Sequence, residues 1–261
     1  MKKILAIIIL SVIAFVIYNK SKENTDNVLK IGTEGAYLPW NGVNASNEVI
    51  GFEIDLAKSL CTRLEMTCDF VVQDWAGIIP ALQNNKYDVI MAGMTVTSKR
   101  RETIDFSRGY ADTGVAFAST ITKKTQSIAD LKKSLTGKKI GVQTGTIAAQ
   151  YVQETFKSSD VRAYSTQDEL NIDLLSGRIH AAANDTSAWY DLQKTESSVT
   201  IISPVLTGKD NAVFGEGIGI GIKKGREALL AKLNKALDEM REDGSLSKLA
   251  IQWFGFDASI R

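Results

Sequence analysis

Residues 51–72 read Gly-Phe-Glu-Ile-Asp-Leu-Ala-Lys-Ser-Leu-Cys-Thr-Arg-Leu-Glu-Met-Thr-Cys-Asp-Phe-Val-Val. Leu56, Leu60 and Leu64 recur every four residues, which predicts a helix with one apolar face. The following Asp-Phe-Val-Val at 69–72 predicts a short buried strand. This stretch therefore predicts a helix that leads directly into a strand, which is the unit from which α/β folds are built.

Strands and helices alternate along the rest of the chain as well. The predicted strands lie at 29–32, 70–72, 89–91, 139–142, 161–164, 179–183 and 218–222. The predicted helices lie at 51–64, 75–83 (capped by Asp74), 146–156, 166–175 (opened by the capping box Thr166-Gln-Asp-Glu169), 226–243 and 245–254. Repeated β-α-β units predict largely parallel sheets covered by helices, which is an α/β fold.

Two segments, 82–92 and 174–184, share a pattern of helix end, turn, basic residue and strand. The similarity indicates either two lobes of like architecture or only the pattern that any α/β protein repeats.

Composition excludes several classes of protein. The chain has 261 residues, of which 44% are hydrophobic and 23% charged, as is typical of one or two globular domains. A formal net charge of +1 gives no electrostatic basis for binding nucleic acid. A single histidine excludes a His-rich metal site and argues against a Ser-His-Asp triad. Since nucleophile-elbow and phosphate-loop motifs are absent too, we predict no catalytic residues, no metal and no cofactor.

The first 22 residues differ from the rest of the chain. They carry four lysines and no acidic residue, and Ile4 to Tyr18 form a 15-residue apolar run that only Ser11 interrupts. A short basic head before such a run is typical of a signal peptide, and the run is short for a spanning helix, which needs about 20 residues. We predict a signal peptide at 1–22 and a periplasmic protein. No clear cleavage site follows, so an uncleaved tether to the inner membrane stays open.

The two cysteines of the chain are consistent with an exported protein. Cys61 lies near the end of the predicted helix and Cys68 near the start of the next strand, so a disulfide would join these two elements. Disulfides persist in oxidising compartments such as the periplasm. We therefore favour a Cys61–Cys68 disulfide over two buried free thiols.

Polar or flexible residues follow several of the predicted strands. Open α/β sheets bind ligands beyond the carboxyl ends of their strands. Arg100, five residues after Ala92-Gly-Met-Thr95, suits a carboxylate, the turn Gln143-Thr-Gly-Thr146 suits an anion, and Asp185 suits an ammonium group. Each feature by itself also fits a surface arginine, a helix cap or a turn aspartate, but their common position predicts a binding site.

Several segments resemble one known family. They are Ile31-Gly-Thr-Glu-Gly-Ala-Tyr-Leu-Pro-Trp40, Gly51-Phe-Glu-Ile-Asp-Leu-Ala57, Ile90-Met-Ala-Gly-Met-Thr-Val-Thr97 with Lys99-Arg100, Gly141-Val-Gln-Thr-Gly-Thr146, and Asp243-Gly-Ser-Leu-Ser-Lys-Leu-Ala250 before Trp253-Phe254. From about 29 to 256 the chain resembles the extracytoplasmic polar-amino-acid-binding proteins of ABC importers. Its cysteine pair is similar to that of the lysine/arginine/ornithine and histidine binders. Residues 33–41 and 73–82 look closer to the octopine and nopaline binders.

The resemblance implies a two-lobed fold of the type II periplasmic-binding-protein, or Venus flytrap, class, with two crossing hinge strands. Residues 28–115 and 207–261 would form a discontinuous lobe 1, and residues 116–206 would form lobe 2. The crossings are expected near 115–118 and 204–207. One ligand would bind between the lobes of a monomer.

The resemblance also assigns roles to single residues. Arg100, with the backbone at Thr95 and Thr146, would hold the α-carboxylate of an amino acid. Asp185 and the backbone at Gly93 would hold its α-ammonium group.

Four further residues would surround the side chain of the ligand. Tyr37 and Trp75 would offer aromatic faces, and Glu34 and Glu53 would offer negative charge. A planar guanidinium group fits both, by stacking on rings and by paired hydrogen bonds to a carboxylate.

Five residues in three segments depart from the pattern of the cationic amino-acid binders. Ala92-Gly93 replace a pair of serines, Gln143 replaces an apolar residue, and Ile147-Ala148 replace polar residues. Ala92 and Gly93 could make room for the additional carboxylate of an arginine-derived opine, and Gln143 could hydrogen-bond to it. We therefore predict arginine as the first candidate ligand and an opine as the second, while a neutral amino acid such as glutamine stays an alternative.

The leading interpretation is a non-enzymatic solute-binding protein that delivers its ligand to the membrane permease of an ABC importer. An enzyme on the same fold, such as a cyclohexadienyl dehydratase, would need a positioned acid or base, and no set of residues supports one. A tethered sensor domain would need an uncleaved N-terminal segment and a partner protein.

Overall fold

The computed structural model describes residues 27–260. The predicted signal peptide at 1–22 and the last residue of the predicted lobe 1, Arg261, lie outside the described residues. The described strands are β1 (Val28–Thr33), β2 (Ala36–Tyr37), β3 (Asn41–Val43), β4 (Val49–Ile50), β5 (Thr67–Val72), β6 (Val89–Ile90), β7 (Asp105–Phe106), β8 (Val115–Ser119), β9 (Lys139–Gln143), β10 (Asp160–Tyr164), β11 (Ala181–Asp185), β12 (Thr200–Ile201) and β13 (Gly221–Ile222).

Helices alternate with these strands. The α-helices of the described residues are α1 (Phe52–Arg63), α2 (Ile78–Gln83), α3 (Ser98–Arg101), α4 (Ile128–Ser134), α5 (Ile147–Thr155), α6 (Gln167–Leu175), α7 (Thr186–Leu192), α8 (Glu227–Glu242) and α9 (Ser245–Phe254), with 3₁₀ turns at Trp75–Gly77 and Ala212–Phe214. Leu56 and Leu60 are fully buried on α1, as their spacing predicted. The predicted capping box is confirmed, because Thr166 accepts from the Glu169 backbone and the Glu169 side chain reaches back.

Two five-stranded sheets define two lobes. The sheet of lobe 1 has the order β5-β1-β6-β13-β7, in which β5, β1 and β6 are parallel and β13 runs antiparallel to both of its neighbours. Val28 of β1 lies opposite Thr67 of β5, and Ile31 lies opposite Val89 of β6. A small sheet of β2, β3 and β4 adjoins it in sequence between β1 and α1.

The sheet of lobe 2 repeats this arrangement. Its order is β10-β9-β11-β8-β12, with β10, β9 and β11 parallel and β8 antiparallel to its two neighbours. The segments 82–92 and 174–184, which look alike in the sequence, lead into the central strands β6 and β11. The internal similarity therefore reflects two lobes of like architecture.

Each sheet has a hydrophobic core on both of its faces. Val89 and Ile90 are adjacent on β6 and belong to different buried clusters, as expected when successive side chains point to opposite faces. In the same way, Ala181 and Ala183 of β11 pack with Phe117, whereas Ala182 packs in the cluster of Trp189 on the other face.

The chain passes between the lobes twice. At the crossings Val115 and Leu206 pair antiparallel, with N–H···O distances of 2.8 and 2.7 Å. Val115 is both the last residue of the predicted lobe 1 and the first residue of β8. The boundaries at 115/116 and 206/207 stay a prediction.

Two local predictions differ from the structure. Asp74 makes no capping hydrogen bond, and a 3₁₀ turn at Trp75–Gly77 precedes the shorter helix α2. The strand predicted at 218–222 pairs regularly only at Gly221–Ile222. The preceding glycine-rich segment packs too closely for a regular strand with side chains, because a Cβ on Gly219 would lie 2.7 Å from Val96 Cγ2.

The predicted disulfide is present. Cys61 at the end of α1 and Cys68 on β5 are joined, with Cα atoms 5.9 Å apart. Within residues 27–260, no helix has both the length and the apolar composition needed to cross a membrane.

Candidate ligand-binding site

A cavity lies between the two lobes, just beyond the carboxyl ends of β1, β6, β9 and β11. Its walls are formed by Glu34, Tyr37, Trp75, Ala92, Gly93, Thr95 and Arg100 from lobe 1 and by Val115, Gln143, Thr146, Ile147, Ala148, Asn184 and Asp185 from lobe 2. Parallel strands end at one edge of each sheet, so the two facing lobes bring residues together that are far apart in the sequence.

Arg100 lies on the lobe 1 wall with its guanidinium group held on two sides. Its Nη1 donates to the Thr95 carbonyl at 2.8 Å, and its Nη2 donates to the Gly145 carbonyl of lobe 2 at 3.4 Å. The ring of Trp75 lies 5.1 Å from Cζ, in the range of a cation–π contact. No carboxylate of residues 27–260 forms an ion pair with Arg100. Burial lowers the pKa of Arg100 to about 10, so the group stays cationic at neutral pH.

The N-terminus of α5 faces Arg100 from lobe 2. Thr146 is the N-cap and accepts a hydrogen bond from the Ala149 backbone at 3.1 Å. The backbone N–H groups of Thr146, Ile147 and Ala148 donate to no acceptor of the described residues. Unpaired N–H groups at a helix start carry partial positive charge. This wall and Arg100 together form a donor-rich end of the cavity.

Asp185 ends β11 on the opposite part of the wall. The Tyr37 hydroxyl donates to Asp185 Oδ2 and also lies 2.8 Å from Asn184 Oδ1, and Thr113 Oγ1 donates to Asp185 Oδ1 at 3.4 Å. Burial raises the pKa of Asp185 to about 7, against the lowering effect of the Tyr37 and Thr113 hydrogen bonds and the Arg100 charge. A cation placed beside Asp185 would therefore favour its ionised form.

Gly93 lies beside Tyr37, at a position where a side chain would be strained. Its φ of +62° belongs to the left-handed region, and an added Cβ would lie 2.8 Å from Tyr37 Cε1. The glycine thus lets the Tyr37 ring pack directly on the cavity wall.

Glu34 and Gln143 meet across the cleft. Gln143 Nε2 donates to Glu34 Oε1 at 2.6 Å and to the Ser165 carbonyl at 3.2 Å. Burial raises the pKa of Glu34 to about 7. The Gln143 hydrogen bond lowers that pKa, whereas the charges of Asp168, Asp74 and Glu53 raise it further. This end of the cavity is therefore rich in acceptors, and a cation beside Glu34 would favour its ionised form.

Glu53 is the one predicted site residue that the structure does not bring to the cavity wall. It is fully buried in the first turn of α1, where it accepts hydrogen bonds from the Gly93 N–H, Asn41 and Tyr110. A carboxylate in the first turn of a helix also interacts favourably with the helix dipole. The expectation that Glu53 faces the side chain of the ligand is therefore corrected: it lies behind Gly93.

The other predicted residues all line the cavity, and four lining residues were missed. Asn184 directly precedes Asp185 on β11, and Ile147 and Ala148 follow Thr146. These three residues could have been predicted from their neighbours, which were already assigned to the site. Val115 lies at the predicted crossing, and its apolar side chain did not indicate that it lines the cavity. Within residues 27–260, no cluster of His, Cys, Asp and Glu side chains could hold a metal ion.

Two lobes of the same topology, crossed twice by the chain and closed over a polar cavity at their strand ends, define a type II periplasmic binding protein. The family can be stated as well. The chain belongs to the bacterial extracellular solute-binding proteins, family 3, whose family profile matches residues 29–256.

Named relatives are similar over nearly the whole chain. The L-arginine-binding protein of Pseudomonas aeruginosa is 34% identical over 237 residues, covering 89% of this chain and 90% of the relative. The octopine-binding periplasmic protein of Rhizobium meliloti is 33% identical over 273 residues, covering 88% of this chain and 91% of the relative.

A solved structure of an arginine-specific binding protein is also similar to this chain. A periplasmic binding protein of Salmonella typhimurium with high arginine specificity matches with a TM-score of 0.80 at 28% identity, covering 87% of this chain and 99% of that one. These relatives are binding proteins, so the chain is a solute-binding protein and not an enzyme. Proteins of this kind capture amino acids for import by ABC transporters.

Proposed function

We propose that this protein captures a cationic amino acid, arginine first, and delivers it to the membrane permease of an ABC importer. The observation that carries the proposal is the distribution of charge in the cavity. One end has an arginine and the rest of the wall has two buried carboxylates, and none of the three forms an ion pair with a described residue. A ligand with one carboxylate and two cationic groups complements this arrangement.

Arg100 and the start of α5 would bind the α-carboxylate. An arginine side chain can form two parallel hydrogen bonds to a carboxylate, and the bonds of Arg100 to the Thr95 and Gly145 carbonyls use only two of its five N–H donors. The unpaired N–H groups of Thr146, Ile147 and Ala148 add donors from the other lobe. A carboxylate between them would draw the two lobes together.

Asp185 and the carbonyl oxygen of Gly93 would bind the α-ammonium group. The Gly93 N–H is already taken by Glu53, so an acceptor is the only backbone group that Gly93 can offer to the cavity. Asp185 keeps capacity for further donors, since its present partners are two hydroxyl groups.

Glu34 and the aromatic rings would bind the cationic side chain. Glu34 Oε2 and Gln143 Oε1 accept no hydrogen bond from the described residues, so both can accept from a guanidinium group. Tyr37 lines the same cavity and offers an aromatic face. The negative charges of Asp168 and Asp74 act on Glu34 and favour a cation there.

An arginine-derived opine is the second candidate. The relation to an octopine-binding protein and the small side chains at Ala92 and Gly93 favour it. The additional carboxylate has no evident donor, however, because both Nε2 hydrogens of Gln143 are used by Glu34 and Ser165. The adjoining Glu34 carboxylate would repel it. Arginine therefore stays the first candidate.

Location and partners follow from the same proposal. Export by the segment at 1–22 and a periplasmic site of action are supported by an extracellular family and a periplasmic relative. A monomeric state and transfer to a permease are part of the same proposal. A tether formed by an uncleaved segment would leave the binding site unchanged.

A ligand screen tests the proposal. Purified protein is unfolded thermally with arginine, lysine, octopine or glutamine present, and the tightest ligand is confirmed by calorimetry. A ligand at 100 times its dissociation constant adds about 2.7 kcal/mol of stability. We expect the largest shift with arginine. A larger shift with glutamine than with arginine would contradict the cationic ligand.

A further inference from the structure

Glu53 is a buried carboxylate that the contacts proposed above leave unused. Its side chain is fully buried behind Gly93 and forms no ion pair with any residue of 27–260. Burying a charge without a counter-charge is costly, and such groups are found where another charge compensates them. A ligand cation in the adjoining cavity is the available compensation.

Three neutral donors hold the carboxylate. The Gly93 N–H lies 2.8 and 2.7 Å from its two oxygens, Asn41 Nδ2 donates at 3.0 Å, and the Tyr110 hydroxyl donates as well. These hydrogen bonds favour the ionised form, whereas burial raises the pKa of Glu53. Because all three donors are uncharged, they solvate the negative charge without cancelling it.

The charge lies one residue behind the cavity wall. Gly93 lines the cavity, and its carbonyl oxygen accepts no hydrogen bond from the described residues. Burial raises the pKa of Glu34 and of Tyr37, and the charge of Glu53 raises both further. In its ionised form Glu53 is therefore close enough to act on two residues of the wall.

We propose that Glu53 is a buried counter-charge for the α-ammonium group of the ligand and acts through Gly93, whose N–H it occupies. The inference rests on the proposed function, since it needs an amino acid with its ammonium group beside Gly93 and Asp185. By taking the only donor of Gly93, Glu53 leaves an acceptor backed by negative charge at this part of the wall. Such a surface attracts an ammonium group and repels a carboxylate.

The substitution Glu53→Gln separates this role from a structural one. A glutamine has nearly the same shape, its carbonyl oxygen can accept from Gly93 and Asn41, and its amide can donate to the Tyr110 oxygen. It therefore removes the charge and keeps one hydrogen bond to each of the three groups, although its amide nitrogen replaces the oxygen that lies 2.8 Å from the Gly93 nitrogen. We expect the affinity for arginine to fall at least tenfold, since a charge this close in a buried site changes binding strongly. The ligand-free protein should be as stable as wild type, or more so.

A residue that only supports the fold gives the opposite pattern, which is lower stability with unchanged affinity. That result would overturn the proposal. Tyr110→Phe is the second variant: it removes a hydrogen bond that favours the ionised form of Glu53, so arginine affinity should fall less than in Glu53→Gln and recover as the pH rises. A loss as large as that of Glu53→Gln at every pH would overturn the proposal.

A ligand without the ammonium group provides the specific readout. 5-Guanidinopentanoate is arginine without its α-amino group, and its binding is measured by calorimetry and by the thermal shift it causes. Glu53→Gln should weaken the binding of arginine at least tenfold and leave the binding of the analogue unchanged. Glu48→Gln, on the exposed loop between β3 and β4, should change the affinity for neither ligand. Equal weakening of both ligands would refute this inference alone. A wild-type protein that binds no amino acid would refute the proposed function as well.

Discussion

The side-chain amide of Gln143 donates a hydrogen bond of 2.6 Å to the carboxylate of Glu34 and so joins the two lobes at one end of the cavity. Both side chains are buried, and Gln143 also donates to the Ser165 carbonyl at 3.2 Å. The pair keeps two acceptor oxygens free. It therefore supports the cationic ligand proposed above over an anionic one, because both oxygens can accept from a cationic donor and neither can donate to an anion.

Glu34→Gln should weaken arginine binding at least tenfold, which is about 1.4 kcal/mol. The substitution removes the negative charge at the side-chain end and keeps the shape of the group. Glutamine binding should not weaken. Calorimetry with both ligands measures the change, and Glu48→Gln on the surface is the matched control. Unchanged arginine affinity in Glu34→Gln would show that the ligand's cation lies elsewhere.

Arg100→Ala should abolish detectable amino-acid binding and leave the fold intact. Losing one partner of a buried charged pair costs about 2–5 kcal/mol. Arg100→Lys should restore little, because an ammonium group cannot form two parallel hydrogen bonds to a carboxylate. Arg101→Ala is the control on the same helix, since Arg101 is exposed and pairs with Glu216 at 3.2 Å. Wild-type affinity in Arg100→Ala would contradict the prediction that Arg100 binds the α-carboxylate of the ligand.

Ligand binding should close the cleft. A ligand held by Arg100 on lobe 1 and Asp185 on lobe 2 contacts both lobes, so it favours the state in which they are close. Small-angle scattering should give a smaller radius of gyration with arginine than without it. An unchanged radius at saturation would mean that the lobes are already together in the free protein, as Tyr37–Asp185 and Gln143–Glu34 place them here.

The stability of the ligand-free protein should fall between about pH 4 and pH 7. Burial raises the pKa of Glu34 from 4.5 to about 7, so the folded protein binds more protons than the unfolded chain in this range. Its stability is therefore highest below the unfolded pKa and decreases as the pH rises to the folded pKa. With about 1.36 kcal/mol for each pKa unit, the loss is at most roughly 3 kcal/mol for Glu34.

Urea unfolding of the ligand-free protein at several pH values measures this loss. Glu34→Gln should reduce the slope of the unfolding free energy against pH. Asp185→Asn should reduce this slope too, because burial raises the pKa of Asp185 from 3.8 to about 7. A wild-type slope in both variants would contradict the expectation. Arginine should bind more tightly at pH 8 than at pH 5, since a cation favours the ionised carboxylates.

Removal of the disulfide should lower stability without changing ligand affinity. The loop closed by Cys61 and Cys68 is short, with a sequence separation of 7, so the stabilisation is about 2–3 kcal/mol in the chain-entropy model. The double substitution Cys61→Ala, Cys68→Ala is compared with wild type by urea unfolding and by calorimetry. Neither cysteine lines the cavity, so a large loss of affinity would mean that α1 transmits strain to the site.

The sequence by itself determined the elements, the α/β class and most of the cavity wall. Leucines four residues apart predict α1, and the side chains of Thr166 and Glu169 bond within one helical turn. Such signals act over a few residues and do not depend on the rest of the fold. The residues after β1, β6, β9 and β11 were predicted to meet for a topological reason, which is that ligands bind beyond the ends of parallel strands.

Only the tertiary structure decided which carboxylate lines the cavity. Glu34 and Glu53 are both acidic residues in segments typical of the family, and no pattern distinguishes them. Glu53 is turned away from the cavity because Gly93, 40 positions along the chain, packs its N–H against the carboxylate. In the same way, the partner of Glu34 is Gln143, 109 positions away. Contacts between distant segments depend on how the two lobes pack, and that packing is absent from any local stretch of the sequence.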